Sequence, residues 1–377
     1  MLNRIIKNEL KKALELKKIV ILYGARQVGK KTLAKEIQQE LGLNSEYFLG
    51  DYLDIQELFS HSRVRNLLPQ IKNLELIILD EAQRIKDIGL TLKIIHEELP
   101  NLKILVTGSS SLELSQGLKE PLTGRSMDFL LYPLSFQEIS DDQSLIKANL
   151  QLNNLLIYGS YPEVFDGKAI SPKEALKNIA DNYLYKDLFM LPSIENTELL
   201  RNLLKALAWQ IGNQVSLNEL ARLLNSHPET IKKYITLLEK SFVIFSLNSF
   251  SNNLRNEIKH SRKIYFWDLG IRNYLIGNFS PIELRADKGQ LWENFVIAER
   301  FKYLNNNRKF INQYFWRNYY QSEIDYLEEE NGQFKTYEIK FSNKKNPKIP
   351  QAFAKSNPNS SFEVINPDNF YTFISSR

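Results

Sequence analysis

The most constraining feature of the sequence is a short loop bracketed by glycines. Gly24-Ala25-Arg26-Gln27-Val28-Gly29-Lys30 follows the apolar run Ile19–Tyr23 directly and leads into the helical pattern Leu33–Glu40. In this setting the glycines let backbone N–H groups turn inward on phosphate oxygens. The helix N-terminus adds its dipole, and the lysine reaches the β- and γ-phosphates. The spacing predicts an α/β core that binds ATP, with Gly24, Arg26, Gly29, Lys30, Lys31 and Thr32 around the phosphates. The strict pattern has Ser or Thr directly after the lysine, to ligate Mg2+. Here Lys31 fills that place and Thr32 comes one position late.

A second run makes the first specific. Leu76–Leu79 is a buried-strand pattern that ends in Asp80-Glu81-Ala82-Gln83. Adjacent carboxylates at the end of such a strand suit the Walker B role: Asp80 would hold Mg2+ through water, and Glu81 would polarise the attacking water. The run Ile104–Val106 ends in Thr107-Gly108-Ser109-Ser110-Ser111, which puts hydroxyls, Ser109 among them, where the γ-phosphate would lie. A simple polar turn is the other reading of that segment. With Tyr47–Leu49 and Phe129–Leu131, these runs alternate with helical patterns, as a parallel sheet requires.

At this point the chain resembles the prokaryotic AAA+-type ATPases that carry a C-terminal DUF4143 domain. The matching stretches are Gly24–Thr32, Leu79–Gln83, Thr107–Ser111, Leu122-Thr-Gly-Arg125, Tyr132-Pro-Leu-Ser-Phe136 and Gly159-Ser-Tyr-Pro-Glu163. The resemblance implies a P-loop NTPase core over residues 1–134, a helical lid over 135–200 and a winged helix-turn-helix over 201–278. It also makes Arg125 a candidate arginine finger acting on a neighbouring subunit of a homo-oligomer. An ordinary salt-bridge arginine is the competing reading of Arg125.

Ser216-Leu-Asn-Glu219 and Ser226-His-Pro-Glu229 look like successive capping boxes, each opening an amphipathic helix. The second helix would turn Ile231, Ile235 and Leu238 inward and leave Lys232, Lys233, Thr236 and Lys240 outside. Phe242–Leu247 and Lys263–Phe266 would follow as wing-like strands. DNA binding and plain packing between domains are both open to such a module.

Residues 279–377 form the last expected domain, an α/β restriction-endonuclease-like fold. Asn331-Gly332 is a tight-turn signal between two alternating runs. If it is the turn, Asp325 faces Glu338 and Glu323 faces Lys340, with Ile324, Tyr326, Tyr337, Ile339 and Phe341 on the opposite side. Directly opposed carboxylates repel, and a divalent cation would remove that penalty. Asp325…Glu338-Ile-Lys340 also resembles the PD-(D/E)xK nuclease pattern, in which two acids hold Mg2+ and the lysine assists the water. Glu293 matches that family's helical Glu. A charged, solvated hairpin face is the plainer alternative.

Composition narrows the field further. The absence of Cys removes disulfides, thiolate zinc sites, iron–sulfur clusters and thiol nucleophiles. The four His are scattered, without metal-ligand spacing. The net charge of +5 is too small to make the chain a polycation. Lys344, Lys345, Lys348 and Lys355 nonetheless fall in an acid-free stretch that suits an anionic partner or a solvated loop. No stretch approaches the roughly 18 apolar residues of a membrane span, and the amphipathic pattern Met1–Leu16 lacks a signal core. A cytoplasmic, DNA-associated ATPase is expected. The alternative is a nucleotide-bound scaffold that hydrolyses little.

Overall fold

The computed structural model describes residues 2–108, 121–167, 170–185, 188, 194–251, 262–342 and 347–375. The expected hydroxyl at Ser109, and Lys344 and Lys345, lie outside the described residues. Two compact units are present: Met1–Pro133 with Lys240–Phe242, and Leu134–Glu239 with Val243–Arg377.

The first unit is a five-stranded sheet in the order β2-β3-β4-β1-β5, with its four strand pairings all parallel among the described residues. Its strands are β1 (Ile19–Tyr23), β2 (Ser45–Leu49), β3 (Leu76–Asp80), β4 (Lys103–Gly108) and β5 (Ser126–Leu130). β1 and β3 are buried at every position. Helices cover both faces of such a sheet, so continuous apolar runs rather than alternating ones are what it selects. One core runs from Ile21 and Leu79 through Phe59, Leu92 and Val106. The amphipathic start of the chain forms the helix Lys7–Glu15.

The second unit begins with short helices, among them Phe136–Gln143, which a complete Ser135–Glu138 capping box opens. It then builds one seven-stranded mixed sheet, in the order β12-β11-β10-β9-β7-β8-β6. These strands are β6 (Gln214–Val215), β7 (Ile244–Ser249), β8 (Arg262–Phe266), β9 (Asn312–Arg317), β10 (Glu323–Glu330), β11 (Gln333–Ile339) and β12 (Ser361–Ile365). The strands expected to be wing-like, β7 and β8, are interior to a large sheet, because β7 pairs with β9 and β8, and β8 also pairs with β6. The boundary expected between 278 and 279 falls between strands of that sheet. The stretch expected as a lid is helical and clusters with this unit. The helix expected from Glu229 begins at Pro228. Among the described residues, no helix is long and apolar enough to cross a membrane.

The 19-residue helix Lys288–Asn306 packs on the sheet and is buried on most sides. It places Trp292 and Phe295 against Phe136 and Phe370. The Asn294 side chain accepts a hydrogen bond from the Phe266 N–H and donates to the Phe266 carbonyl, pinning the end of β8 to the helix.

Before this helix, the Asp287 carboxylate takes Arg272 at 2.5 Å and Arg285 at 2.8 Å. Burial alone would raise the Asp287 carboxyl, but the two guanidinium groups override it and hold the group at about 2. A depressed carboxylate contributes stability above its ordinary value and loses it as pH falls through the folded one. The stabilisation should therefore disappear between about pH 4 and pH 2. Asp287→Asn leaves two buried arginines without their carboxylate, at a cost on the order of 3 kcal/mol near neutrality. Melting curves from pH 2 to pH 7 should show the variant's deficit shrinking towards the acid end. A constant deficit would refute the assignment.

Candidate nucleotide site and C-terminal carboxylate cluster

At the C-terminal end of β1 the chain turns through Gly24 (φ 151°), Gln27 (φ 62°) and Gly29 (φ 100°) before the helix Lys30–Leu41. Gly24 has a second constraint: a Cβ there would lie 2.3 Å from the Leu131 carbonyl oxygen. Lys30 is buried, and its ammonium donates to the Gly24 and Ala25 carbonyls at 2.8 Å each. The loop is also held from the far side of the sequence. Arg4 donates to the Val28 carbonyl at 2.8 Å and the Tyr132 carbonyl at 2.6 Å. An arginine within an amphipathic N-terminal pattern gave no sign of this role.

β4 lies between β1 and β3, and it sets the distance from the loop to the acidic pair. Asp80 is buried at the end of β3, and both its oxygens are occupied by hydroxyls. Thr107 of β4 donates to Oδ1, and Tyr47 of β2 donates to Oδ2. Glu81 follows in the left-handed region (φ 53°), with Gln83 donating to its carboxylate. Gly50 packs against this turn so closely that a Cβ would fall 2.6 Å from the Glu81 carbonyl oxygen.

Lys31 is exposed, with its ammonium 6.0 Å from the Tyr47 ring centre, and Lys35 stands 5.5 Å from the same ring. Tyr47, which sequence reasoning missed, shares Asp80 with Thr107. The residues fit Mg2+ bound through water, since Asp80 presents a buried carboxylate whose present partners are neutral hydroxyls. Arg125 stands at the opposite end of β1, where its carbonyl accepts the Ile19 N–H. Five strand residues at about 3.3 Å each separate it from the loop by roughly 16 Å. Its guanidinium pairs with Glu97 at 2.7 Å, so within one chain it behaves as the salt-bridge arginine.

In the second unit, Glu293, Asp325, Glu338 and Lys340 line one cavity of about 450 Å³. The hairpin keeps the register that Asn331-Gly332 implies, with Tyr326 opposite Tyr337 and Glu330 opposite Gln333. Between Ile324 and Leu327 the pairing with β9 shifts by one residue, a β-bulge. The bulge corrects the expected faces. Ile324 joins Leu327 and Phe353 in one cluster, whereas Tyr326 meets Phe301 and Phe373. It also turns Asp325 into the cavity, where Oδ2 accepts the Ile339 N–H at 2.8 Å.

The expected pairing of Glu323 with Lys340 is replaced as well. Lys340 binds Glu338 at 2.6 Å and lies 3.6 Å from Asp325. Glu323 instead contacts Lys263, a residue of β8 that the sequence analysis placed in a wing. Lys263 is only 2% exposed and also reaches Glu293 at 3.0 Å and Asp325 at 4.0 Å. Tyr265 donates to Glu293 at 2.6 Å. Burial raises the Glu293 carboxyl, although Lys263 draws it back, and burial with Asp325 raises Glu338. Burial alone would lower the two lysines, but the surrounding carboxylates raise both. Among the described residues, no group of three or more His, Asp or Glu is arranged to hold a metal. The carboxylates here are held by ammonium groups, a donor set that does not fit a divalent ion as it stands.

Three domain families match in succession. They are an AAA domain over residues 16–140, DUF8612 over 149–281 and DUF4143 over 288–373, the last two being domains of unknown function. An uncharacterized protein of Methanocaldococcus jannaschii is 28% identical over 355 residues, covering 86% of this chain and 75% of the relative. One from Mycobacterium tuberculosis is 26% identical over 336 residues, covering 88% and 72%. Among solved structures, the chain is similar to the Thermotoga maritima RuvB Holliday junction branch migration motor, at 20% identity and TM-score 0.31. That overlap covers 64% of this chain and 88% of the other. AMPPCP-bound DnaA from Aquifex aeolicus overlaps 62% of this chain and 86% of its own, at 15% identity and TM-score 0.33. The AAA and DUF4143 matches, with the phosphate loop at the head of the parallel sheet, support a nucleotide-binding protein of the ATPase/DUF4143 kind.

Proposed function

We propose that this chain is an ATP-dependent switch: it binds ATP at Gly24–Thr32, turns it over slowly with Mg2+, and associates with DNA. The observation that carries the reading is the placement of the Lys30 loop and the Asp80-Glu81 pair at the same edge of one parallel sheet, a single strand apart. Lys30 would hold the β- and γ-phosphates, Asp80 would hold Mg2+ through water, and Glu81 would orient the attacking water. Mg2+ would supply charge neutralisation between the β- and γ-oxygens.

DNA is the proposed macromolecular partner because the helix Pro228–Lys240 leaves Lys232 and Lys233 on its solvent side. Ammonium groups on such a face suit backbone phosphates. The C-terminal cluster brings together the residues of the PD-(D/E)xK pattern, which supports a nuclease-like ancestry for residues 279–377. The second reading, a scaffold that holds nucleotide and hydrolyses little, draws on Lys31. That residue supplies no hydroxyl to the metal.

Steady-state ATPase turnover with and without duplex DNA, together with direct ATP binding, tests both readings. Slow turnover that DNA accelerates supports the switch. Tight binding with no turnover under either condition moves the chain to the scaffold, and failure to bind ATP overturns both. Native mass with and without ATP checks for the homo-oligomer that a trans-acting Arg125 requires.

A further inference from the structure

We propose that Lys263 is the resident cation of the C-terminal cluster and that, while it is in place, the site excludes divalent metal. Three observations carry this. The ammonium is buried and contacts Glu293 of the helix Lys288–Asn306 and Glu323 and Asp325 of β10. It also stands 5.5 Å from the Phe315 ring centre, so β9 packs beneath it as well. Every carboxylate a metal would use already has a partner. Tyr265 covers Glu293, Arg317 lies 3.7 Å from Glu323, Lys340 holds Glu338, and the Ile339 N–H occupies Asp325. A Mg2+ or Mn2+ ion needs several oxygens at about 2.0–2.1 Å in near-octahedral array. It would have to draw them from a fixed ammonium a few ångströms away, against the repulsion of like charges.

The origin of Lys263 makes this arrangement specific. It lies on β8, within the stretch matched by DUF8612, whereas all the carboxylates lie within the DUF4143 stretch. One domain thus supplies the counter-charge for the other's acidic site. The consequence is a metal-independent cluster that ties β8 to β10 and to the helix Lys288–Asn306. The proposal stands whether or not the chain hydrolyses ATP or binds DNA.

The test uses the full chain with Asp80→Asn in every sample, to silence the nucleotide-side carboxylate. In this background the melting temperature should not move with millimolar Mn2+. Lys263→Met removes the ammonium, keeps the stem volume and leaves the carboxylates facing one another. It should lower the melting temperature, and Mn2+ should restore part of that loss, since an ion binding only the folded state stabilises it. Calorimetric titration should show at least a tenfold gain in Mn2+ affinity over the parent, removed again by adding Asp325→Asn. The proposal is overturned if the parent binds Mn2+ in an Asp325-dependent way, or if folded Lys263→Met gains no affinity. Should Lys263→Met fail to fold, the Mn2+ response of the parent, with and without Asp325→Asn, still decides the matter.

Discussion

Lys31→Thr is expected to raise Mg2+-dependent ATP turnover by at least about tenfold, a change of roughly 1.4 kcal/mol in the barrier. A hydroxyl directly after Lys30 would ligate the ion. The ammonium of Lys31 cannot ligate, and it adds positive charge at the start of the helix Lys30–Leu41. Its resting place near the Tyr47 ring, beside Lys35, puts two cations by the one residue that caps Asp80 Oδ2. Binding should survive in the parent, because the loop amides and Lys30 do not depend on residue 31. Hydrolysis should suffer more, because Mg2+ spreads charge in the transition state. Tyr47→Phe, which frees one Asp80 oxygen, should add a smaller gain on top of Lys31→Thr. Stopped-time phosphate release over a Mg2+ series measures all of this. The idea fails if the parent hydrolyses briskly, Lys31→Thr changes little and Thr32→Ala removes activity. That pattern would mean Thr32 supplies the ligand after all.

Gly24→Ala should cost more than the same change at Gly29, Gly42, Gly50 or Gly124. The new Cβ would lie 2.3 Å from the Leu131 carbonyl oxygen, and the residue sits at φ 151°. The obstacle is backbone just past the end of β5, hydrogen-bonded by the Leu131 N–H to the Tyr23 carbonyl, so it cannot swing aside as a side chain could. The loop must move instead, and with it the amides meant for phosphate. ATP affinity is expected to fall at least a hundredfold. Overpacking of this kind costs about 1–3 kcal/mol. For a unit of this size that lowers the melting temperature by several degrees. Gly42→Ala is the control: its φ is also positive, but nothing lies within 4 Å. Equal losses of ATP affinity in the two variants would refute the steric account.

The first sheet was legible because its strands announce themselves locally. Each of the five apolar runs became a strand, and Gly24–Thr32 fell at the strand-to-helix turn its spacing implied. The hairpin register was equally local, set by Asn331-Gly332. What could not be read was anything decided by a distant partner. The bulge at Asp325 depends on β9, and it reversed the face assigned to Ile324. β7 and β8 were recognisable as strands, but not as neighbours of a strand that begins at Asn312. Lys263 was missed for the same reason, although a lysine heading the buried run Ile264-Tyr265-Phe266 was a usable signal of a buried counter-charge. Tyr47 and Arg4 carried no signal at all. A tyrosine in a strand and an arginine in an amphipathic helix are unremarkable until the fold brings them to Asp80 and Val28.

The pairing of β7 with β9 also bears on how this chain can be divided. The family matches place a border between residues 281 and 288, yet the sheet runs across it without a break. Cutting there would split seven strands into three and four, baring an unpaired edge on β7 and another on β9. Exposed strand edges recruit other strands, so each half, produced alone, is set up to self-associate. The two halves are separate units of sequence resemblance but one unit of folding. An insertion or deletion near residue 285 would strain the crossover between β7 and β9 rather than lengthen an idle linker. The DUF8612 and DUF4143 segments share one sheet, so exchanging either requires a replacement that supplies the other's missing edge.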